Sequence, residues 1–348
     1  MSTKTSLVTS RRAALTARVV AAAATALLTV GLAACGSSGS SGSSGAPASG
    51  GSAAATDTLT MGFAQVGAES GWRTANTKSI QDSAAAAGVD LKFSDAQQKQ
   101  ENQIKAIRSY IQQKVDVIAF SPVVTTGWDT VLQEAKRANI PVILTDRAVD
   151  TPDQTLYKTF LGSDFVAEGK KAGDWLVEQE KGATGPVAIV QLEGTTGSAP
   201  AIDRTKGFAA SIAANPKLSV VASQTGDFTR SGGKQVMEAF LKSQPKIDVV
   251  YAQNDDMGLG AIEAIQAAGK VPGKDIKIIT VDAVKDGMQA LADGKINFIV
   301  ECSPLLGPQL MDLAKKVKDG QTVPARVLTE ETTFDQAAAQ AALPERKY

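Results

Sequence analysis

The sequence predicts an α/β fold of two similar lobes, each built on a parallel sheet. Three observations predict it. From Thr58 onward short apolar runs alternate with longer amphipathic ones. The short runs are almost wholly apolar, as strands covered on both faces must be. The alternation passes through four strands by Leu144 and begins again at Val187, which makes two consecutive α/β sets.

In the first set, Leu59–Phe63 reads as a strand and Trp72–Ala87 as a helix that Gly88 ends. Leu91–Phe93 is a strand. Gln97–Gln113 is a helix with Ile104, Ile107 and Ile111 on one face. Val115–Phe120, Trp128–Ala138 and Val142–Leu144 continue as strand, helix and strand. In the second set, Val187–Gln191, Val220–Ser223, Val249–Ala252 and Ile276–Val281 read as strands, and Phe298–Val300 is a further one. The stretches after Ile202, Gly233 and Gly258 read as helices. Trp128 and Trp175, in amphipathic helices, read as core.

The amino-terminal segment is of another kind. Lys4, Arg11, Arg12 and Arg18 precede an uncharged run from Val19 to Ala34, which closes on Leu32-Ala33-Ala34-Cys35. A basic start, an apolar middle and small residues before a cut describe a secretory signal. A cysteine at the cut can take a diacylglycerol thioether, and the freed amine can be acylated; two or more chains give lasting attachment. A run of 16 residues is short for a membrane span of about 20. The expectation is a lipoprotein signal over 1–34 and a protein tethered outside the membrane through lipidated Cys35, in a Gram-positive cell. Ser10-Arg11-Arg12 with Leu15 also carries part of a twin-arginine export signal. Residues 35–57, rich in Ser, Gly, Ala and Pro, read as a flexible tether.

Charge and composition exclude several classes. The 348 residues hold 36 basic and 36 acidic side chains; without 1–34 the balance is 32 against 36, a net charge of −4. That argues against nucleic acid as a partner. There is no histidine, which removes His-dependent triads and His-ligated metals. Lipidation of Cys35 would leave Cys302 alone, reading as core rather than as a nucleophile. Gly258-Leu259-Gly260 lacks the third glycine of a dinucleotide fingerprint, and no phosphate-loop sequence is present.

In parallel sheets ligands sit off the carboxyl ends of the strands. Polar and aromatic residues collect at those positions. Gln65 and Glu69-Ser70-Gly71-Trp72-Arg73 follow the first strand, Asp95 and Gln97 the second, and Asp146-Arg147 the fourth. In the second set Asp203-Arg204, Asp227-Phe228, Asn254-Asp255-Asp256, Asp282 and Glu301 hold equivalent places. Carboxylates, amides and guanidiniums offer paired hydrogen bonds, and aromatic faces stack. A sugar ring, with vicinal hydroxyls and C–H faces, needs both. Any one Asp or Asn after a strand is more often a helix cap, and Asp255 and Asp256 read as caps of the following helix.

At these residues the chain resembles the type I periplasmic sugar-binding proteins of ATP-driven importers, the ribose-binding group, and within it the galactofuranose-like members. The likeness covers about residues 58 to 320. It is carried by Gln65 to Arg73, Gln97 to Gln103, Pro122 to Trp128, Ala201 to Arg204, Gly226 to Arg230 and Asn254 to Met257. The resemblance implies two Rossmann-like lobes joined by a three-segment hinge, lobe one over 58–161 and 303–331 and lobe two over 162–302 and 332–348. It implies that Gln65, Glu69, Ser70, Trp72 and Arg73 form one wall, with Trp72 stacking on the sugar. Asp146 and Arg147 would bind ring hydroxyls, with Arg204, Phe228, Asn254 and Asp282 opposite. Glu301 stands at the hinge where ribose binders have Gln, and a single Trp72 beside Arg73 replaces their paired Phe residues; the latter departure favours a galactofuranose-like ligand over ribose.

The implied function is that of a monomeric, lipid-anchored substrate-binding subunit, handing one monosaccharide to a membrane permease and its ATPase, with no cofactor, metal or nucleic acid. A receptor lipoprotein that presents sugar to a signalling partner shares the same binding chemistry. A glycosidase using two of Glu69, Asp146 and Asp282 is the enzymatic alternative, and hydroxyl acceptance is the simpler use of those groups. A sugar-responsive repressor would need a DNA-reading helix pair where this chain has its signal and tether.

Overall fold

The computed structural model describes residues 58–348. The signal and tether readings over 1–57, Cys35 included, lie outside the described residues.

Two six-stranded sheets organise the chain. The first takes β1 (Thr60–Gln65), β2 (Asp90–Asp95), β3 (Val117–Phe120), β4 (Val142–Thr145), β5 (Thr159–Gly162) and β11 (Arg326–Leu328), in the order β11-β5-β4-β3-β1-β2. The second takes β6 (Val187–Glu193), β7 (Leu218–Thr225), β8 (Val249–Ala252), β9 (Lys277–Asp282), β10 (Phe298–Glu301) and β12 (Thr333–Phe334), in the order β12-β10-β9-β8-β6-β7. All neighbours run parallel except β12, which pairs antiparallel with β10 through Ile299 and Val300. The chain therefore passes between the sheets three times: after Gly162, after Glu301 and between Leu328 and Thr333.

Helices cover both faces of each sheet. In the first lobe α1 (Gly71–Ala87) and α9 (Gly307–Lys318) lie on one face, and α2 (Gln100–Gln113) and α3 (Asp129–Arg137) on the other. Strand periodicity sorts the side chains: Val117 and Ala119 of β3 point to the first face, Ile118 and Phe120 to the second, and none of the four touches solvent. In the second lobe α4 (Phe165–Gln179) and α5 (Ala199–Ile212) cover one face. The other face carries α6 (Arg230–Ser243), α7 (Asp255–Ala267), α8 (Lys285–Ala292) and α10 (Gln336–Ala342). Among the described residues no helix is long and apolar enough to cross a membrane.

Several elements differ from their sequence reading. Helix α2 starts at Gln100 instead of Gln97, because Gln97 and Gln98 take left-handed backbone angles (φ 53° and 60°) in a turn that Asp95 stabilises by accepting the Gln97 N–H at 2.7 Å. Capping of α7 falls to Asn254, whose Oδ1 accepts the Met257 N–H, and not to Asp255 or Asp256. Trp128 is core, 1 % exposed and 4.9 Å from Phe120 between ring centroids. Trp175 is half-buried and stacks on Phe298 at 5.0 Å.

Candidate functional site

The carboxyl ends of both sheets border one small cavity. Glu69, Ser70, Trp72, Arg73, Asp146 and Arg147 line it from the first lobe. Pro200, Arg204, Phe228, Asn254, Asp282 and Cys302 line it from the second. Ten of the twelve residues named from sequence as binding sites are thereby brought together. Local geometry explains how. Ser70 is the N-cap of α1, its Oγ accepting the Arg73 N–H at 3.1 Å, so the first turn of that helix projects Trp72 and Arg73 at the cavity. Asp146, Phe228 and Asp282 all have positive φ (59°, 60° and 118°), the strained backbone that lets a chain turn sharply off a strand end.

The first-lobe wall is a charge lattice. Arg73 donates to Glu69 Oε1 at 3.1 Å and pairs with Asp146 Oδ2 at 2.7 Å. Burial disfavours the Arg73 charge, but Asp146 and Glu69 outweigh it and hold its pKa above the ordinary value. Arg147 is held less well: its Nη2 is 3.7 Å from Glu69 and its Nε 3.7 Å from Asp146. Burial and repulsion from Arg73 push it down to about 10. Glu69 Oε2 and Arg147 Nε are buried without a hydrogen-bond partner. One free acceptor and one free donor in the same wall fit a hydroxyl that both gives and receives.

The second-lobe wall is anchored by Arg204. Its Nε donates to Glu168 Oε2 at 2.7 Å, its Nη1 to the Gln253 carbonyl at 2.5 Å, and its Nη2 lies 3.7 Å from Asp282 Oδ1. Burial pushes the Asp282 carboxyl well above the ordinary carboxylate range, against the pull of Arg204. Asn254 caps α7 and donates its Nδ2 to the Phe228 carbonyl at 3.0 Å, so it fixes the Phe228 loop as well as lining the cavity. The Phe228 ring lies 5.3 Å from the Arg147 guanidinium of the opposite lobe. Three lining carboxylates face three lining guanidiniums, which makes the cavity formally neutral.

Two expected residues stand elsewhere. Gln65 is wholly buried behind the wall, bonded to Asn76, Thr77 and Arg73, and supports Arg73 from beneath. Glu301 is outside the cavity; Arg346, Tyr348 and the Thr332 N–H hold its carboxylate at the crossing between sheets. Sequence reasoning missed Pro200 and Cys302. Pro200 is the second residue of α5, one turn before Arg204, where a proline fits the first helical turn and says nothing of a ligand. Cys302 follows β10, and its carbonyl accepts the Trp72 indole N–H at 2.7 Å. Behind it the three crossings meet: Ser163 Oγ is 3.4 Å from Cys302 Sγ and bonded to Glu331, which also accepts the Ser303 N–H at 3.1 Å.

This pair of sheets, with a polar cavity between their carboxyl ends, is the build of a two-lobed binding protein, and comparison agrees. A profile of the periplasmic binding protein domain matches residues 61–322. The galactofuranose-binding protein YtfQ of Escherichia coli K12 is 48 % identical over 293 residues, 83 % of this chain and 92 % of that one. A crystal structure from Mycobacterium smegmatis in complex with β-D-fucofuranose is 72 % identical with a TM-score of 0.83, covering 84 % of this chain and 96 % of that one. The binding component of the arabinose ABC transporter of Shewanella sp. ANA-3, bound to α- and β-L-arabinofuranose, is 48 % identical with a TM-score of 0.80, over 83 % and 96 % of the two chains. The chain belongs to the type I periplasmic binding proteins, in the ribose-binding group. It is a binding protein and not an enzyme.

Proposed function

We propose that this protein is the lipid-anchored substrate-binding subunit of an ATP-driven sugar importer, taking one neutral monosaccharide in furanose form between its lobes. The observation that carries this reading is the cavity itself: it is small, formally neutral, and walled by an aromatic and bidentate polar groups from each lobe. Paired carboxylates and guanidiniums match vicinal hydroxyls, while Trp72 and Phe228 supply apolar faces. The similarity to proteins named for, or bound to, galactofuranose, fucofuranose and arabinofuranose supports the furanose form. Tethering through Cys35 would keep the protein beside its permease.

The test is calorimetry of the mature protein against methyl β-D-galactofuranoside, D-fucose, L-arabinose, D-galactose and D-ribose. Saturable binding is expected for sugars that present a furanose ring, with ribose weakest. Failure of every neutral sugar at millimolar concentration would sink the reading. Expression of a Cys35→Ser form tests the tether: the protein should leave the membrane fraction, and retention there would reject lipid anchoring.

A further inference from the structure

Asp256 has no part in the cavity wall, yet it joins the two lobes. It stands at the second position of α7, and its Oδ2 accepts the Gly71 N–H at 2.7 Å. Gly71 is the first residue of α1, on the opposite sheet. Helix-start N–H groups have no partner within their own helix. Ser70 satisfies that of Arg73, and a carboxylate from the other lobe satisfies that of Gly71. Arg230 lies 3.5 Å from Asp256 Oδ1, on the carboxylate oxygen that Gly71 does not use. Asp256 is nearly buried, at 9 % exposure. A second bond crosses between the lobes from the Thr125 N–H to the Gly197 carbonyl at 2.9 Å.

We propose that Asp256 is the closing latch of the binding cycle: it caps the amino end of α1 only while the lobes are together, and so sets how long the sugar is held. The proposal rests on the sugar-binding reading above and adds a residue that never touches the sugar. When the lobes part, Asp256 and the Gly71 N–H both return to water. Their bond therefore acts on the balance between closed and open forms and not on the folding of either lobe. A negative group at a helix amino end is also favoured by the helix dipole, and the bond is charge-assisted.

Both ends of the latch can be cut. Asp256→Ala removes the acceptor. Gly71→Pro removes the donor at the helix position where proline is best tolerated, behind a Ser70 whose extended backbone (φ −145°, ψ 164°) suits a following proline. Gly71→Ala, which keeps the N–H, is the control; its added Cβ would meet Asp256 no closer than 3.5 Å. Stopped-flow tryptophan fluorescence with D-fucose, D-galactose and L-arabinose reads association and dissociation. Asp256→Ala and Gly71→Pro should each speed dissociation roughly 3- to 30-fold with little change in association, and the double variant should be no worse than either. In urea unfolding of the unliganded protein the effects of Asp256→Ala and Gly71→Pro should simply add, whereas a bond that also held the unliganded fold would make the double variant less than the sum. Unchanged dissociation in both variants overturns the latch. If wild-type protein binds none of the three sugars, the reading of the cavity fails, and the latch falls with it, because no sugar is then held for a bond between the lobes to retain.

Discussion

Trp72 is fixed from two sides. Its indole N–H donates to the Cys302 carbonyl at 2.7 Å, and the Arg73 guanidinium lies 4.7 Å over its ring. A ring already immobilised loses little entropy on binding, so its stacking is realised nearly in full. Trp72→Ala is expected to weaken sugar binding by about 1–3 kcal/mol in calorimetry. Trp72→Phe, which keeps a face but drops the bond to Cys302, should lose less. An unchanged dissociation constant in Trp72→Ala would remove it from the wall.

Glu168 makes a second prediction at this scale. Burial raises its carboxyl to about 8, even beside Arg204. In the unfolded chain a glutamate titrates near 4.3. The native protein therefore holds a proton that the unfolded chain has released, and this contribution to stability is lost as pH rises from about 4.3 through about 8. Urea midpoints of the unliganded protein should fall across that window. Glu168→Gln should flatten the fall, leaving the part owed to the other raised carboxyls, among them Asp255, which burial lifts to about 7, and Asp282, which burial also raises. An identical slope in Glu168→Gln would mean that Arg204 keeps Glu168 ionised throughout.

Among the elements, the loop from β7 to α6 sets the depth of the second-lobe wall. Asp227 and Phe228 take positive φ, and the far end of the Phe228 ring packs against Gly194, just past the end of β6. A Cβ on Gly194 would stand 1.8 Å from the ring's Cζ. Gly194→Ala must drive Phe228 toward the cavity, and overpacking of this kind costs about 1–3 kcal/mol. Sugar binding should fall roughly tenfold while the second-lobe fold persists by circular dichroism; wild-type affinity would show that the ring can retreat elsewhere.

The elements also show which signals a sequence carries. Helix α1 was legible almost to the residue because Gly88 takes the left-handed cap (φ 67°) that a glycine so placed announces. Strand β5 was not, since the place of Thr159–Gly162 in the sheet comes from partners such as Leu144 and Arg326, on strands that no local pattern relates to it. The start of α2 was misplaced because Gln97 and Gln98 are unexceptional helix formers, held out of the helix by a turn.

For the whole molecule, closure is the property that matters. Contacts between the lobes include single bonds, Asp256 with Gly71, Thr125 with Gly197 and Trp72 with the Cys302 carbonyl, the Arg147 guanidinium over Phe228, and the apolar packing of Trp72 on the second lobe. Such an interface permits a hinge, and small-angle scattering should show a smaller radius of gyration when a binding sugar is added; no change would argue for a rigid cleft. Formal neutrality of the cavity predicts selectivity as well. A uronic acid would bring a fourth carboxylate against three lining guanidiniums, so galacturonate should fail to compete with a bound neutral sugar, whereas effective competition would contradict the charge count.

The sequence alone determined the two α/β sets, the strand ends where polar residues gather and the neutral chemistry of that gathering, because these follow from local periodicity and side-chain type. Only the tertiary structure decided that Gln65 backs the wall, that Glu301 binds Arg346 at a crossing, and that Pro200 and Cys302 face the cavity. Those outcomes depend on which distant segments meet, and two sheets that exchange the chain three times bring together residues that no local pattern relates.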